Sequence, residues 1–258
     1  MRWNPAQYTK FERERNRPIH DLLGQISDGG SVLRAIDIGC GPANSTELLC
    51  RSCPAAIITG IDNSPEMIEA ARLRLPDVVF ELADIGTWQS AEKFDLILAN
   101  AVLQWVPDHS TLLPRLVAQL GGGGRLAVQM PDNFDEAPHR LMREIAQDAR
   151  WEAKLKGAAR PLNRHNPKWY YGLLRDRGVK LDIWRTTYMH QLSGVKAIVD
   201  WFKGTSLGPF LAPLSSDERN EFLGLYESEL SRVFEPMQDG TVLLPFPRLF
   251  FIATREGA

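Results

Sequence analysis

Between residues 32 and 130 the chain repeats one pattern, in which a short apolar run is followed by a turn and then by a stretch with helical spacing. The runs are VLRAIDI (32–38), AIITGID (56–62), VVFELAD (78–84), FDLILAN (94–100) and GRLAVQM (124–130). Strands that alternate with helices build parallel βαβ units, so this stretch predicts an α/β layered fold. Helices are expected near 45–52, 65–74 and 109–120. Ser64 followed by Pro65 reads as an N-cap with proline at the first helical position, and Ile68, Ala71 and Leu75 continue the apolar stripe. Asp62 therefore falls at the carboxyl end of a strand, just before a helix. Glycines 121 to 124 are expected to close one helix and turn the chain into the fifth strand.

After Met130 the rhythm changes. Residues 134–156 read as helical, 161–178 as a loop with a short helix, and LDIWRTTYMHQL (181–192) as a strand. Helices near 195–203 and 216–234 follow, the second opened by Ser215 and Glu218 at capping-box spacing. The last strand, TVLLPFPRLFFIATR, carries Pro245 and Pro247, which predicts an edge or bulged start. With no repeat and no low-complexity linker, the economical organisation is one domain over residues 1–258. Segments near 1–30, 134–178 and 190–240 are assigned to a helical cap over the substrate site.

Composition restricts the function classes. The net charge is -2 and the basic residues form no lysine-rich block, which gives no footprint for nucleic acid or an anionic membrane. No run approaches the ~18 apolar residues of a membrane span. The first residues, MRWNPAQYTKFERERNRP, have no following apolar segment of the kind a signal peptide needs, and the expectation is a cytoplasmic protein. Cys40, Cys50 and Cys53 cannot all pair, and Cys50 and Cys53 lie at a helix end rather than at the N-terminus that lowers a redox thiol's pKa. They read as structural. No metal-ligand spacing joins His20, His109, His139, His165 and His190, and a metal-free protein is expected. Of 30 basic residues 22 are arginine, whose planar fork suits carboxylates.

The chemistry concentrates around AIDIGCGPANST, residues 35–46. Asp37 closes a strand, and Gly39 and Gly41 let backbone approach a ligand at the start of the next helix. A dinucleotide turn asks for a third glycine, and Asn44 stands there instead. Nor does any tyrosine carry a lysine four residues on, so the dyad of short-chain dehydrogenases is missing. Asp62 follows Gly39 by 23 residues, where an acid can take two ribose hydroxyls, and Asp84 and Asn100 end the third and fourth strands.

This order, D-x-G-x-G and then Asp62, Asp84 and Asn100, resembles the class I S-adenosylmethionine (SAM)-dependent methyltransferases. The resemblance implies a Rossmann-like, doubly wound, mostly parallel sheet of seven strands. It also implies SAM as cofactor and S-adenosylhomocysteine (SAH) as product. On this chain the cofactor residues would be Asp37, Gly39, Gly41, Asn44, Asp62, Asn63, Met67, Asp84, Ile85 and Asn100. The segments WNPAQYTKFERERNRP, GCGPANSTELL, ITGIDNSPEMI, NAVLQWVPDH, LAVQMPDN, HRLMREIA, DIWRTTYMHQL and FPRLF extend the likeness to the trans-aconitate methyltransferase family over nearly the whole length. One departure is Ala43, where that family has glycine; its methyl is tolerated if φ there is negative.

The family implies a small tricarboxylate as partner and a carboxyl methyl ester as product; a monomer or weak homo-oligomer is expected. A carboxylate is already ionised at pH 7, so its attack on a sulfonium methyl requires no general base. What remains for the protein is positioning and the exclusion of water. Candidate positioning residues are Tyr8, Phe11, Arg15, Arg17, Gln104, Trp105, Tyr170, Tyr171, Arg185, His190 and Arg248, with the arginines holding the two spare carboxylates. Three other readings stand beside this one: a SAM methyltransferase for another acid, such as a fatty acyl or malonyl carboxylate, an NAD(P)-dependent oxidoreductase, and a non-catalytic SAM-binding module.

Overall fold

A computed structural model describes residues 12–26, 32–158 and 163–257. The chain divides into two compact units, one of Met1–Pro131, Leu162–Thr186 and Arg248–Ala258, the other of Asp132–Pro161 and Thr187–Pro247.

The first unit opens with α1 (Glu12–Gly24) and then alternates β1 (Arg34–Ile38), α2 (Asn44–Ser52), β2 (Ile57–Asp62), α3 (Pro65–Arg74), β3 (Val79–Leu82), β4 (Phe94–Asn100), α4 (His109–Ala118) and β5 (Leu120–Pro131). Later it takes in α7 (Pro167–Leu174) and parts of β6 (Val179–Leu192) and β7 (Val242–Arg255). The seven strands are ordered β3-β2-β1-β4-β5-β7-β6. β1 to β5 run parallel, and β7 pairs antiparallel with β5. The parallel strands follow from the strand and helix alternation, and the doubly wound, mostly parallel sheet of seven is the one the methyltransferase resemblance implies.

After β1 the chain moves outward to β2 and β3, then crosses back to β4 on the other side of β1. Successive connections thus leave β1 and β4 in opposite directions, which opens a crevice beyond their carboxyl ends. Ile36, Ile38, Ile61, Ile97, Leu126, Val128 and Phe251 are buried in one cluster beneath it. Full burial of side chains of this size contributes about 1.5–3 kcal/mol each, which makes the floor under the crevice stiff.

Three expectations are corrected. Gly121 to Gly124 lie within β5, not before it. Phe94 pairs with Leu120 and Leu96 with Arg125, so the extra residues on β5 bulge out between two paired positions. Gly124 is needed there because a Cβ would come within 2.6 Å of the Phe94 carbonyl oxygen. The helical stretch 134–156 is two pieces, α5 (Ala137–Ile145) and α6 (Glu152–Leu155). Residues 163–178, assigned to a cap from sequence, belong to the first unit, where α7 puts Tyr170 and Leu174 into its core. The prolines of β7 fall before Arg248, the first β7 residue paired with β5, so the missing N–H groups lie outside that ladder.

The second unit holds α5, α6, α8 (Val195–Lys203), α9 (Gly208–Leu211) and α10 (Ser216–Val233). α10 packs against α5 and α8, and both hydrogen bonds of the Ser215 and Glu218 capping box are made. Phe222 on α10 meets Trp151 at 5.6 Å between ring centroids. Among the described residues, no helix is long and apolar enough to cross a membrane.

Candidate functional site

The turn after β1 is defined by backbone conformation. Gly39 adopts φ +74°, and its N–H donates to the Ile61 carbonyl at 2.7 Å. A Cβ there would lie 2.2 Å from Cγ2 of Val102, so sterics and conformation both demand glycine. Gly41, at φ +53°, has open space where a Cβ would go, and its requirement is conformational alone. Ala43 caps α2 in the left-handed region at φ 68°. The negative φ that would excuse its methyl is not adopted, and the residue carries a conformational cost of about 1–2 kcal/mol. Its methyl is buried with Cys40, Ile68, Ala71 and Phe80, which offsets part of that cost.

The acids of the first three strands have different tasks. Asp62 accepts from the Gly41 N–H through Oδ2 at 3.0 Å and from the Ser64 N–H through Oδ1 at 2.9 Å. Burial raises its pKa above the usual carboxylate value. Asp84 accepts from the Gly86 N–H at 2.8 Å, in a loop whose Ile85 and Gly86 carbonyls are held by Arg115 of α4 at 2.6 and 2.8 Å. Asp37, expected beside the cofactor, is fully buried and accepts through Oδ2 from the hydroxyls of Ser45 and Thr46, both at 2.7 Å. It supports the turn from below and does not line the cavity. Desolvation pushes its pKa up to about 6, against the lowering effect of the two hydroxyls.

These elements surround a cavity of about 660 Å³. Gly39, Gly41 and Asn44 line it from the turn, Asp62, Asn63 and Met67 from beyond β2, Asp84 and Ile85 from beyond β3, and Asn100 from the end of β4. Except for Asp37, every residue expected around the cofactor is therefore brought together. Both amide atoms of Asn44 and Oδ1 of Asn100 are buried and lack a hydrogen-bond partner among the described residues. Buried polar groups are nearly always satisfied, so these atoms call for a polar ligand.

The residues expected to position substrate are dispersed. Trp105, 39% exposed, lines the cavity. Gln104 is buried and donates to the Ala101 carbonyl at 2.6 Å. Tyr170 is a core residue, in contrast to its expected role. Its hydroxyl lies 2.9 Å from Nδ1 of His109, whose Nε2 lies 2.8 Å from the Leu103 carbonyl. A carbonyl only accepts, so Nε2 carries the proton and the tyrosine hydroxyl donates to Nδ1. Tyr171 and Arg185 are exposed, as is Arg17 on α1. His190 belongs to the second unit, stacked on Trp201 at 4.7 Å. Arg248 is buried beyond the carboxyl end of β5, opposite Pro131 in the register, and donates to Oε1 of Gln129 at 3.2 Å. Tyr8 and Phe11 lie outside the described residues, and so does the side chain of Arg15.

Several lining residues carry no sequence signal of their own. Val102 packs on Gly39, and Ala101 takes φ +51° at the end of β4. Asn16 and Ile19 come from α1, Asn16 inside the WNPAQYTKFERERNRP segment but outside the residues expected around the cofactor. All three cysteines are free, and burial raises each thiol's pKa, in keeping with structural roles. Among the described residues, no group of three His, Cys, Asp or Glu side chains is placed to hold a metal ion.

Comparison with known proteins gives a consistent family. A family described as a methyltransferase domain matches residues 30–177. The trans-aconitate 2-methyltransferase of Methylobacterium nodulans is 50% identical over 254 residues, 98% of either chain. Those of Methylobacterium radiotolerans and Rhizobium meliloti are 48% and 45% identical over 98% and 99% of this chain, and over 98% and 100% of their own. Among solved structures, the YcgJ protein from Bacillus subtilis aligns with TM-score 0.60 at 13% identity, covering 93% of this chain and all of its own. The plantazolicin methyltransferase BpumL, in complex with a desmethylPZN analog and SAH, aligns with TM-score 0.57 at 18% identity, over 97% and 89% of the two chains.

Proposed function

Because the chain belongs to the trans-aconitate 2-methyltransferase family, we propose that it moves a methyl group from SAM to one carboxylate of trans-aconitate, in line and without a general base. The supporting observation is the cavity that joins the glycine turn to Asp62, Asp84 and Asn100. Its orphaned amides at Asn44 and Asn100 fit a ligand with both donors and acceptors. When bound there, the sulfonium supplies an electrophilic methyl group.

The protein's own residues hold and shield. Asp62 takes the ribose hydroxyls while its oxygens remain fixed by Gly41 and Ser64. Asp84 faces the adenine amine, and Arg115 keeps its loop in place. Trp105, at the cavity wall beyond β4, excludes water from the methyl-donor side. The carboxylates lining the cavity, Asp62, Glu66 and Asp84, each accept a hydrogen bond from a neighbouring residue, and they are assigned structural and recognition roles. The nucleophile is ionised at neutral pH, and proton removal contributes nothing to its attack. Arg248 is the candidate for holding a spare carboxylate, because its guanidinium is buried and oriented by Gln129.

Incubation with methyl-labelled SAM and a panel of di- and tricarboxylates, followed by NMR of the product, tests the proposal. The expected product is a labelled monomethyl ester of trans-aconitate. Methylation of a fatty acyl or malonyl carboxylate in preference, or of neutral alcohols as readily as acids, would overturn it.

A further inference from the structure

We propose that Asn16 of α1 is a cofactor-positioning residue that recognises the amino-acid end of the methyl donor, an assignment that rests on the SAM reading above. Asn16 and Ile19, one helical turn apart, line the same cavity as the glycine turn, Asp62 and Asn100. Oδ1 of Asn16 is buried and finds no hydrogen-bond partner among the described residues. Leaving such an acceptor unpaired is unfavourable, and a ligand N–H removes that penalty.

The rest of the cavity indicates which N–H this is. Asp62 and Asp84 are suited to the ribose hydroxyls and the adenine amine, which leaves the α-ammonium and α-carboxylate of the donor to be matched. α1 packs along α2, and α2 begins at Asn44, whose amide nitrogen and oxygen are both buried without a partner among the described residues. Two carboxamides on one cavity offer acceptors for an ammonium and a donor for a carboxylate. Among the described residues lining the cavity there is no Lys, Arg or His, so a carboxylate there meets neutral donors: amide nitrogens and the N–H groups at the start of α2. A zwitterion, whose net charge is zero, suits such a lining. Asn16 is assigned to the ammonium through Oδ1, and Asn44 to the carboxylate through Nδ2.

The test compares two ligands that differ only at this end. SAH carries the amino acid, whereas 5′-methylthioadenosine keeps the nucleoside and thioether and lacks it. Calorimetric titration of Asn16→Ala is expected to show affinity for SAH reduced about tenfold and affinity for 5′-methylthioadenosine within about twofold of wild type, the loss of one hydrogen bond to a charged group. Asn16→Asp, which retains an acceptor, is expected to recover SAH binding, and Asn16→Leu to lose it as Asn16→Ala does. Circular dichroism melts establish that each variant is folded. Unchanged SAH affinity in both Asn16→Ala and Asn16→Leu would overturn the proposal, as would an equal loss for both ligands. An effect confined to the KM for trans-aconitate would place Asn16 on the acceptor side and overturn it too. If wild-type protein binds neither ligand, the SAM reading itself fails, a result distinguishable from the others.

Discussion

The Gly41 N–H donates to Oδ2 of Asp62 at 3.0 Å, and this contact joins the turn after β1 to the acid after β2. The same carboxylate receives the Ser64 N–H at the entrance to α3. One side chain thereby fixes two loops while facing the cavity.

Replacing Asp62 by alanine therefore has two effects. Stability falls by about 1–3 kcal/mol, because buried donors lose a charged acceptor, and urea titration measures it. Affinity for SAH falls by about a hundredfold to ten-thousandfold, since two hydrogen bonds to a charged group are lost at about 1.5–3 kcal/mol each. Calorimetry that finds unchanged affinity would remove Asp62 from the cofactor site.

Asp37 makes stability depend on pH. Its pKa is about 6 in the folded protein against 3.8 for the free side chain, so between those values the folded state holds a proton that the unfolded state has released. Its contribution to stability is therefore largest below about pH 4 and declines as pH rises to about 6, by about 3 kcal/mol in all at 1.36 kcal/mol per unit. A carboxamide in its place cannot titrate, so the Asp37→Asn variant should lack this decline. Denaturation midpoints of both proteins between about pH 3.5 and about pH 7, a window that spans both pKa values, check the sign; parallel curves would contradict it.

At Ala43 opposing effects nearly cancel. Glycine would relieve about 1–2 kcal/mol of left-handed strain. It would also remove a buried methyl worth about 0.8 kcal/mol and add about 0.4–1 kcal/mol of unfolded-state entropy. Ala43→Gly is expected to change stability by less than about 1 kcal/mol, while Ala43→Val, β-branched at positive φ, costs more than about 2 kcal/mol. Thermal melts of the two variants distinguish these cases.

Arg115 lies away from the cavity wall yet holds the Ile85 and Gly86 carbonyls beside Asp84. Arg115→Ala frees that loop, and SAH affinity is expected to fall about threefold to tenfold, from about 1 kcal/mol of lost positioning. Adenosine binding should weaken by the same factor, since the loop faces the nucleoside. Retention of full adenosine affinity would contradict the assignment.

Arg248→Lys keeps the charge and removes the fork that Gln129 orients. The KM for trans-aconitate is expected to rise about tenfold, with SAH affinity unchanged. Steady-state kinetics that show equal loss for both ligands would indicate a structural role instead.

How much of this was legible depended on the range of the interaction. The Ser64 and Pro65 start of α3 and the capping box of Ser215 and Glu218 are made by residues three apart, and both are present as expected. The five parallel strands were readable from apolar runs. Tyr170 was not: it was expected to position substrate, but α7 turns it into the core, where His109 satisfies its hydroxyl. The four glycines looked like a turn, and only pairing with β4 shows that they form a bulge within β5.

From the sequence alone came the order of strands and helices, the glycine turn and the acids that end the strands, because backbone conformation and strand periodicity are set by neighbours along the chain. The tertiary structure decided that Asp37 supports the turn and does not touch the cavity, that Ala43 is strained, and that Asn16 reaches the same cavity as Asp84. The first two depend on how residues 37–46 fold back on one another and the third on α1 meeting that turn, and contacts of this kind leave no periodic trace in the order of amino acids.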